Sequence, residues 1–448
     1  MGFGVGDIRV ERSGDWLMEQ IAATGSLTLR KVGASRSGEM RAHRFLSSGF
    51  ASVEAIMETL GARTAERCAG RRVVAAQDTS EINFAGRSAK RRGLGPAGNG
   101  CDPGFFIHPV LAIDADDEAV VGLVDARIWT RPQTKAPARR GRAFEDKESA
   151  RWLEGCASAA EQLGAAAEVT VVGDRESDIF QLFARRPEGV HLVVRAAQDR
   201  RIEGGSLFEA AAAAAPLTTT MTKVAPRGPG DKGRLARVEL RAVRVRLLAP
   251  ASLSAKEKAG APAVELTLVE AREIEPPEGV APLLWRLLTT HVAETAEQAR
   301  EIVRCYRLRW RIEQLFRTLK SDGLALEDSQ IVDAERLMRL SAVALGAAVR
   351  IIQLVDARDG GPRSCGDVVD EALVEPLEAI GKTLEGKTER QKNPHEKGSL
   401  AWLAWITARL GGWNCYYKPP GPKTMRDGWN RLASMLAGYA IATAKAFP

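Results

Sequence analysis

Two aspartates stand where apolar runs of the sequence end. Asp78 closes RRVVAAQD, and Asp174 closes AEVTVVGD. Short apolar runs of this kind predict buried strands, and strand ends open onto the edge of a sheet, where ligands commonly bind. Carboxylates gathered at such an edge repel each other unless cations lie between them. The pair therefore predicts a cation site, and the simpler alternative is that each aspartate only caps a turn or a helix.

A third acid, Glu313, lies in the stretch YRLRWRIEQLFRTLK, residues 306–320. At about 100° per residue, a single helix places four polar residues of different kinds on a stripe roughly 60° wide, at the edge of an apolar stripe that should face a core. The four are Tyr306, Arg309, Glu313 and Lys320. The alternative is ordinary ion pairing of Glu313 with Arg309 and Arg317, one turn away on either side.

Three such carboxylates suit metal-dependent phosphodiester chemistry. Mg²⁺ prefers oxygen ligands from carboxylates and water. Two such ions about 3.5–4 Å apart activate a water or a 3′ hydroxyl and stabilise the leaving oxygen. Cationic neighbours of Glu313 would then hold the phosphates. The combination of strand-end aspartates with this helix is what favours the site over the simpler alternatives.

The bulk composition is that of an ordinary globular chain. The 448 residues suggest about three domains, and the net charge of +7 is compatible with nucleic acid but is weak support alone. The six cysteines form no CxxC pair, which argues against a disulfide scaffold or a zinc site and favours a reducing compartment. No apolar run approaches ~20 residues and no signal pattern opens the chain, so we expect a cytoplasmic protein.

The segments on either side of Asp78 have distinct patterns. Helical periodicity at DWLMEQIAA (15–23) and SVEAIMETLGA (52–62) predicts two helices, with GASRSGEMRAHRF between them as a polar break. FFIHPVLAID (105–114) and AVVGLVDARIW (119–129) predict a hairpin, in which His108 is a core histidine rather than a ligand. Residues 131–142 predict a basic loop that is suited to DNA-backbone contact.

The region 195–290 has a different character from its surroundings. RVELRAVRVRLL (237–248) alternates apolar and basic residues, which is the period of a half-exposed strand. AVELTLVEAREI (263–274) and PLLWRLLTT (282–290) are also strand-like, and clusters of Gly and Pro separate the runs. We therefore expect an inserted antiparallel module, followed from about residue 336 by further helices.

The stretch 306–320 fits the pattern Y-x2-R-x3-E-x6-K, and further stretches accompany it in order along the chain. They are VVAAQDTS around Asp78, FEDKESARWL, VVGDRESDIF around Asp174, PLLWRLLTT and KGSLAWLAWITARLGGW. In this ordered set the chain resembles the DDE transposases of the IS-four insertion-sequence family, especially the branch that contains the Tn-five transposase. The similarity covers most of the chain, from about residue 6 to 440.

The resemblance implies an α/β fold: an RNase H-like core with a mixed sheet flanked by helices, interrupted by an antiparallel β insertion and bordered by helical terminal regions. The expected segments are a helical DNA-binding region 1–64, the first part of the core 65–194, the β-rich insertion 195–290, the second part of the core with the signature helix 291–345, and a helical dimerisation region 346–448.

The resemblance also implies the catalytic residues. Asp78, Asp174 and Glu313 are expected to form the triad that binds two Mg²⁺ ions, with Mn²⁺ as a possible substitute. The implied enzyme is a Mg²⁺-dependent endonuclease and DNA strand transferase. Its expected partners are double-stranded DNA, at transposon ends and target, and a second copy of the chain in a homodimer.

Further residues are expected to contact DNA. In similar enzymes the Tyr, Arg and Lys of the signature bind backbone phosphates near the transposon end, and these roles carry over to Tyr306, Arg309 and Lys320. The family flips a base near the cleavage site onto a Trp, and Trp285 matches that position. Trp310 lies beside the polar stripe and is a second aromatic candidate. For Trp285, in an apolar strand, the alternative is core packing.

Three functions remain open from the sequence. The first is cut-and-paste DNA transposition. The second is a catalytically silent regulator that dimerises with an active transposase and inhibits it; relatives carry a further helical stretch before the segment that matches GDIRV, which begins here at residue 6. The third is a structure-specific nuclease on the same core.

Overall fold

A computed structural model describes residues 6–86, 91–98, 100–133, 142–224, 233–253, 255–320 and 323–443. The fold is mixed α/β, as the sequence predicts. Backbone contacts divide the chain into two units. The first unit comprises Met1–Ala69, Thr79–Pro137 and Arg311–Pro448, and the second comprises Gly70–Asp78 and Ala138–Trp310.

The α-helices among the described residues follow the chain in this order: α1 Ile8–Thr24, α2 Leu29–Gly33, α3 Arg36–Ser47, α4 Val53–Cys68, α5 Ala150–Gln162, α6 Phe180–Arg185, α7 Leu207–Ala213, α8 Ala255–Gly260, α9 Ala296–Leu308, α10 Trp310–Leu319, α11 Ala334–Ala357, α12 Val374–Leu384, α13 Leu400–Leu410 and α14 Pro422–Thr443.

The described strands are β1 Arg72–Gln77, β2 Ser80–Asn83, β3 Gly95–Ala97, β4 Asp102–Asp114, β5 Val120–Trp129, β6 Glu168–Gly173, β7 Val190–Arg195, β8 Arg201–Ile202, β9 Gly205–Ser206, β10 Pro216–Val224, β11 Arg234–Leu248, β12 Ala263–Glu273 and β13 Leu284–Thr289.

Among the described residues, the first unit combines four strands with helices from both ends of the chain. β4 pairs antiparallel with β2, β3 and β5, so the predicted hairpin is confirmed. The long helix α11 packs against β5, α1 and α13. By length and composition α11 could span a membrane, but 78% of its apolar window is buried inside the chain, as in a core helix.

The polar break predicted between the first helices is wrong, because that segment forms α3. Ser35 caps the helix, with its hydroxyl oxygen accepting a hydrogen bond from the Gly38 N–H at 3.1 Å. Ala42, Phe45 and Leu46 are buried at helical spacing. Gly and Ser in this segment suggested a polar break, but Ser35 is the helix cap. The apolar face of α3 is short and is interrupted in sequence by basic residues, so its helical period is hard to recognise.

The second unit is built on three parallel strands. β6 lies between β1 and β7, and both neighbours run parallel to it. β13 then pairs antiparallel with β7 and continues through β12 to β11 as an antiparallel meander. Helices α5 and α9 pack on the parallel strands. The strands predicted within 195–290 are present.

Candidate functional site

The register of β1 and β6 brings the two strand-end aspartates to the same level. Arg72 pairs with Glu168 and Ala76 with Val172, so the same offset places Asp78 opposite Asp174. Adjacent strands lie about 4.7–4.9 Å apart. Both aspartates follow the last residue of their strands, in the second unit. They define what we call the carboxyl edge of the parallel strands.

Asp78 is held by a guanidinium group. Its Oδ2 lies 2.8 Å from Nη1 of Arg309, and both side chains are largely buried. The preceding residue, Gln77, is fully buried and donates from Nε2 to the Trp152 carbonyl at 3.2 Å, which fixes the end of β1. A charged carboxylate is the form that binds a cation.

Asp174 begins a short 3-10 turn, Arg175–Ser177. Its Oδ1 accepts a hydrogen bond from the Glu176 N–H at 2.8 Å, so the capping role weighed from the sequence is present. The Ser177 hydroxyl donates to the Asp174 carbonyl at 2.6 Å and tightens the turn. This cap engages one carboxylate oxygen, and a half-buried carboxylate has a second oxygen with which to bind a cation.

The signature segment is divided where the sequence predicts one helix. α9 ends at Leu308 and α10 begins at Trp310, with Arg309 between them at φ −51 and ψ −31. These are helical angles, although Arg309 itself belongs to neither helix. Tyr306 and Arg309 are buried, as expected for residues at the edge of the apolar stripe.

The two tryptophans lie in different surroundings. Trp285 is half-buried near the start of β13, and its ring meets the Tyr306 ring edge-on at 5.5 Å between centroids. Because β13 runs antiparallel to β7, this end of β13 lies at the carboxyl edge. Trp310 is 50% exposed, with the Arg309 guanidinium 5.7 Å from its ring centroid. Core packing therefore does not account for Trp310.

Glu313 and Lys320 belong to the first unit. Glu313 is half-buried on α10. Lys320 lies 4.0 Å from Glu327, measured from Nζ to Oε1. Burial lowers the pKa of the Lys320 ammonium, although the charges of Glu327 and Glu81 act in the opposite direction. The meeting of Glu313 with the two aspartates stays a prediction.

Two other sequence-based expectations have different outcomes. His108 is buried, and its Nδ1 lies 2.9 Å from the Thr79 hydroxyl, so the core-histidine interpretation is confirmed. The basic segment 131–142 falls mostly outside the described residues.

Sequence reasoning missed a cluster of one acid and two histidines. Ligand atoms of Glu168, His191 and His291 all lie within 4.8 Å of one another. Each residue stands at a strand end: Glu168 and His191 at the starts of β6 and β7, and His291 just after β13. A search for metal-ligand residue types at strand starts, and not only at strand ends, would have found the first two.

A comparison with protein families bears on this geometry. Residues 157–348 match the family model described as Transposase DDE domain. This match supports a DDE transposase. The matched region includes Asp174, Glu313 and the DNA-contact candidates from Trp285 to Lys320, and it begins after Asp78. The mixed α/β fold is consistent with an RNase H-like DDE domain, which is a nuclease and transferase that acts on DNA.

The carboxyl edge fits the divalent cation on which DDE transposases generally depend. Asp78 and Asp174 offer carboxylate oxygens at matched register, and hard cations such as Mg²⁺ prefer these donors over imidazole or thiolate. Among the described residues the edge also carries a cation, Arg309, which lies within hydrogen-bonding distance of Asp78. The residues present therefore suit an oxygen-ligated ion.

Proposed function

We propose that this chain is a cut-and-paste DNA transposase of the IS-four type, with Asp78, Asp174 and Glu313 as its catalytic, metal-binding triad. The observation that carries the proposal is the register of β1 and β6, which aligns Asp78 with Asp174 at the carboxyl edge. Of these two residues, only Asp174 lies in the region that matches the transposase domain. If each aspartate only capped a turn, there would be no reason for the two to lie at the same level of adjacent strands.

The triad residues would act together as ligands. Asp78 and Asp174 hold their carboxylates on adjacent strands, and Glu313 would add the third from α10. Two bound Mg²⁺ ions, with Mn²⁺ as substitute, would activate a water or a 3′ hydroxyl and stabilise the leaving oxygen. The same donor set can serve end nicking, hairpin formation, hairpin opening and joining to target DNA, because each is an in-line displacement at phosphorus.

Arg309 has two roles in this proposal. In the structure its guanidinium pairs with Asp78 at 2.8 Å, which balances the carboxylate charge. When DNA is bound, the same planar group can hold a backbone phosphate bidentately. Lys320 would hold a second phosphate as a point charge, and Tyr306 would support the backbone from beneath Trp285.

Trp285 would receive a flipped base. Its ring is half-buried, is braced by Tyr306 and lies at the same edge as the aspartates. Stacking a base on an aromatic ring contributes about 1–3 kcal/mol, which offsets part of the cost of unpairing. Trp310, exposed beside Arg309, is the second aromatic surface offered to the nucleic acid.

Synapsis of two transposon ends requires two copies of the chain, and we propose a homodimer formed through the C-terminal helices after residue 346. Double-stranded DNA at the transposon ends and at the target would be the substrate. We place the protein in the cytoplasm, associated with the nucleoid when DNA is bound.

The test is a strand-transfer assay with Mg²⁺ and pre-cut DNA carrying the inverted repeats that flank the coding sequence. The proposal predicts joined products that disappear in Asp174→Asn and Glu313→Ala, while DNA binding is largely retained. Dimerisation without any cleavage would instead support the inhibitor, and cutting of branched DNA without joining would support a nuclease. Loss of DNA binding equal to loss of cleavage in Glu313→Ala would contradict a metal role for Glu313.

A further inference from the structure

The opposite edge of the same parallel strands carries a second group of metal-ligand side chains, Glu168, His191 and His291. We call it the amino edge, because Glu168 and His191 stand at the starts of β6 and β7. β6 separates Glu168 from Asp174 by six residues, which at about 3.3 Å per residue is roughly 20 Å. The group is therefore distinct from the carboxyl edge.

Strand register brings these three residues together. Thr170 pairs with His191 across β6 and β7, and Glu168 lies two residues before Thr170, on the same face of β6. Across β7 and β13, Thr289 pairs with Val193, and the same antiparallel register carried past Thr289 sets His291 opposite His191. The three ligand residues thus occupy one face of three neighbouring strands.

The two imidazoles are oriented by hydrogen bonds to threonine hydroxyls. Thr170 Oγ1 lies 2.8 Å from His291 Nε2, and Thr290 Oγ1 lies 3.4 Å from His191 Nδ1. Metal-binding histidines commonly use one ring nitrogen in this way, which fixes the tautomer and presents the lone pair of the other nitrogen. The rings stack at 3.9 Å between centroids, which holds the two imidazoles side by side.

The two imidazoles are also half-buried rather than fully exposed. Burial, and then the charge of His191, lowers the pKa of His291 to about 4. Burial likewise lowers the pKa of His191. Both groups remain partly accessible to solvent, so an ion can reach them.

Arg72 is a competitor for Glu168, because it is ion-paired with that carboxylate and with Glu301. Its Nε lies 3.4 Å from Glu168 Oε1, whereas its Nη2 lies 2.8 Å from Glu301 Oε1. The hydrogen bond from Arg304, and then that from Arg72, lowers the pKa of Glu301 to about 2, so Glu301 stays ionised and retains the guanidinium. Arg72 contacts Oε1 of Glu168, and a carboxylate has a second oxygen that can bind a cation.

We propose that Glu168, His191 and His291 bind a divalent transition metal of the zinc class, separately from the Mg²⁺-type site at the carboxyl edge. Two imidazoles and one carboxylate form a ligand set that zinc accepts, with water as the fourth ligand. Ligand atoms around tetrahedral zinc lie roughly 3.3–3.5 Å apart, so ligand atoms that lie within 4.8 Å of one another must approach by at most about 1.5 Å.

The bound ion would act as a structural clamp. His291 stands where the chain leaves β13, the last strand of the antiparallel meander, and Glu168 and His191 stand on the parallel core. A metal shared by all three would tie the return of the meander to β6 and β7. Because such an ion binds the folded chain, it should raise the melting temperature by mass action.

The experiment is equilibrium dialysis of the full chain against Zn²⁺, after chelator treatment and in excess Mg²⁺ to occupy the carboxyl edge, with thermal melts on the same samples. The wild type should bind one equivalent of Zn²⁺ and melt at a higher temperature with it. His291→Ala and the shape-conserving Glu168→Gln should each lose at least ~10²-fold in Zn²⁺ affinity, since even outer partners of zinc ligands contribute 10–100-fold.

Two matched controls locate the ion. His395→Ala removes a histidine outside the cluster, and Asp174→Asn alters the carboxyl edge; both should keep the Zn²⁺ equivalent and the thermal shift. The proposal is overturned if the wild type binds no Zn²⁺ under these conditions. It is equally overturned if Glu168→Gln, melting in chelator at the wild-type temperature, binds Zn²⁺ as the wild type does, or if the bound equivalent is lost in Asp174→Asn.

Discussion

The two edges of the parallel strands β1, β6 and β7 carry different chemistry on the same scaffold. At the carboxyl edge, Asp78 and Asp174 present oxygen donors beside Arg309. At the amino edge, Glu168 stands with two stacked imidazoles. Strand register aligns the side chains at both edges, but the residue types decide which cation is accepted. The backbone pairing therefore determines where ligands meet, and the side-chain types determine which ion they bind.

The largest expected effect is on strand transfer, and it is measured by removing one carboxylate charge from each edge. Asp174→Asn should lower Mg²⁺-dependent strand transfer on the order of 10³-fold, because a metal ligand supports several kcal/mol of transition-state stabilisation. Glu168→Gln, at the other end of the same strand, should change the strand-transfer rate less than ~2-fold. Equal losses in the two variants would show that the edges do not differ in function.

The next effect concerns the aromatic side of the carboxyl edge. Trp285→Ala should slow hairpin formation by roughly 5–150-fold, since one stacked base contributes about 1–3 kcal/mol. Trp285→Phe should recover part of the rate, because a smaller ring still stacks. Single-turnover assays measure the hairpin, and nicking by Trp285→Ala at the wild-type rate serves as the control. A Phe variant no better than Ala would contradict stacking.

A pH effect should be specific to the amino edge. The pKa of His291 is lowered to about 4 in the folded chain, from an ordinary value of 6.5, so the unfolded chain binds more protons between these values. Stability from this group is therefore complete above pH 6.5 and is lost as the pH falls toward 4. In chelator, His291→Gln should flatten the decrease in melting temperature between pH 7 and pH 5. An unchanged decrease would assign it to other groups.

The smallest expected effect is electrostatic. Lys320→Ala should weaken DNA binding in a salt-dependent way and reduce the slope of log affinity against log salt by about 0.7–0.9, the share of one phosphate contact. Arg237→Ala, which removes an exposed cation from β11, should leave that slope unchanged. Titrations at several salt concentrations give both slopes. A wild-type slope in Lys320→Ala would exclude the phosphate contact.

Local patterns in the sequence were enough for part of this account. The apolar runs before Asp78 and Asp174 became β1 and β6, and the alternating runs became β11 and β12. Such elements are set by nearby residues, through burial and alternation, and can be read locally. The polar break predicted where α3 lies shows the limit of local patterns. Serine is common both in turns and at helix caps, so Ser35 alone does not distinguish them.

The rest depended on pairing between distant segments. The residues near Asp78 do not predict that it lies opposite Asp174, because strand register depends on the whole sheet and on the turns that connect its strands. The amino edge is more distant still in sequence, since His291 reaches His191 only through β7 and β13. A single polar residue at a strand end indicates only that the strand end is exposed to solvent. Three metal-ligand residues brought together by strand register indicate a binding site. Only the pairing of the strands shows that such residues lie together.

The most direct measurement is anomalous diffraction from crystals of the chain with pre-cut transposon-end DNA and Mn²⁺. We predict that carboxylate oxygens of Asp78 and Asp174 bind manganese and that Glu313 is a ligand of the same two manganese ions. In excess Mg²⁺ the manganese signal should be absent. Manganese coordinated by the two aspartates without Glu313, or none at the carboxyl edge beside bound DNA, would contradict the shared triad.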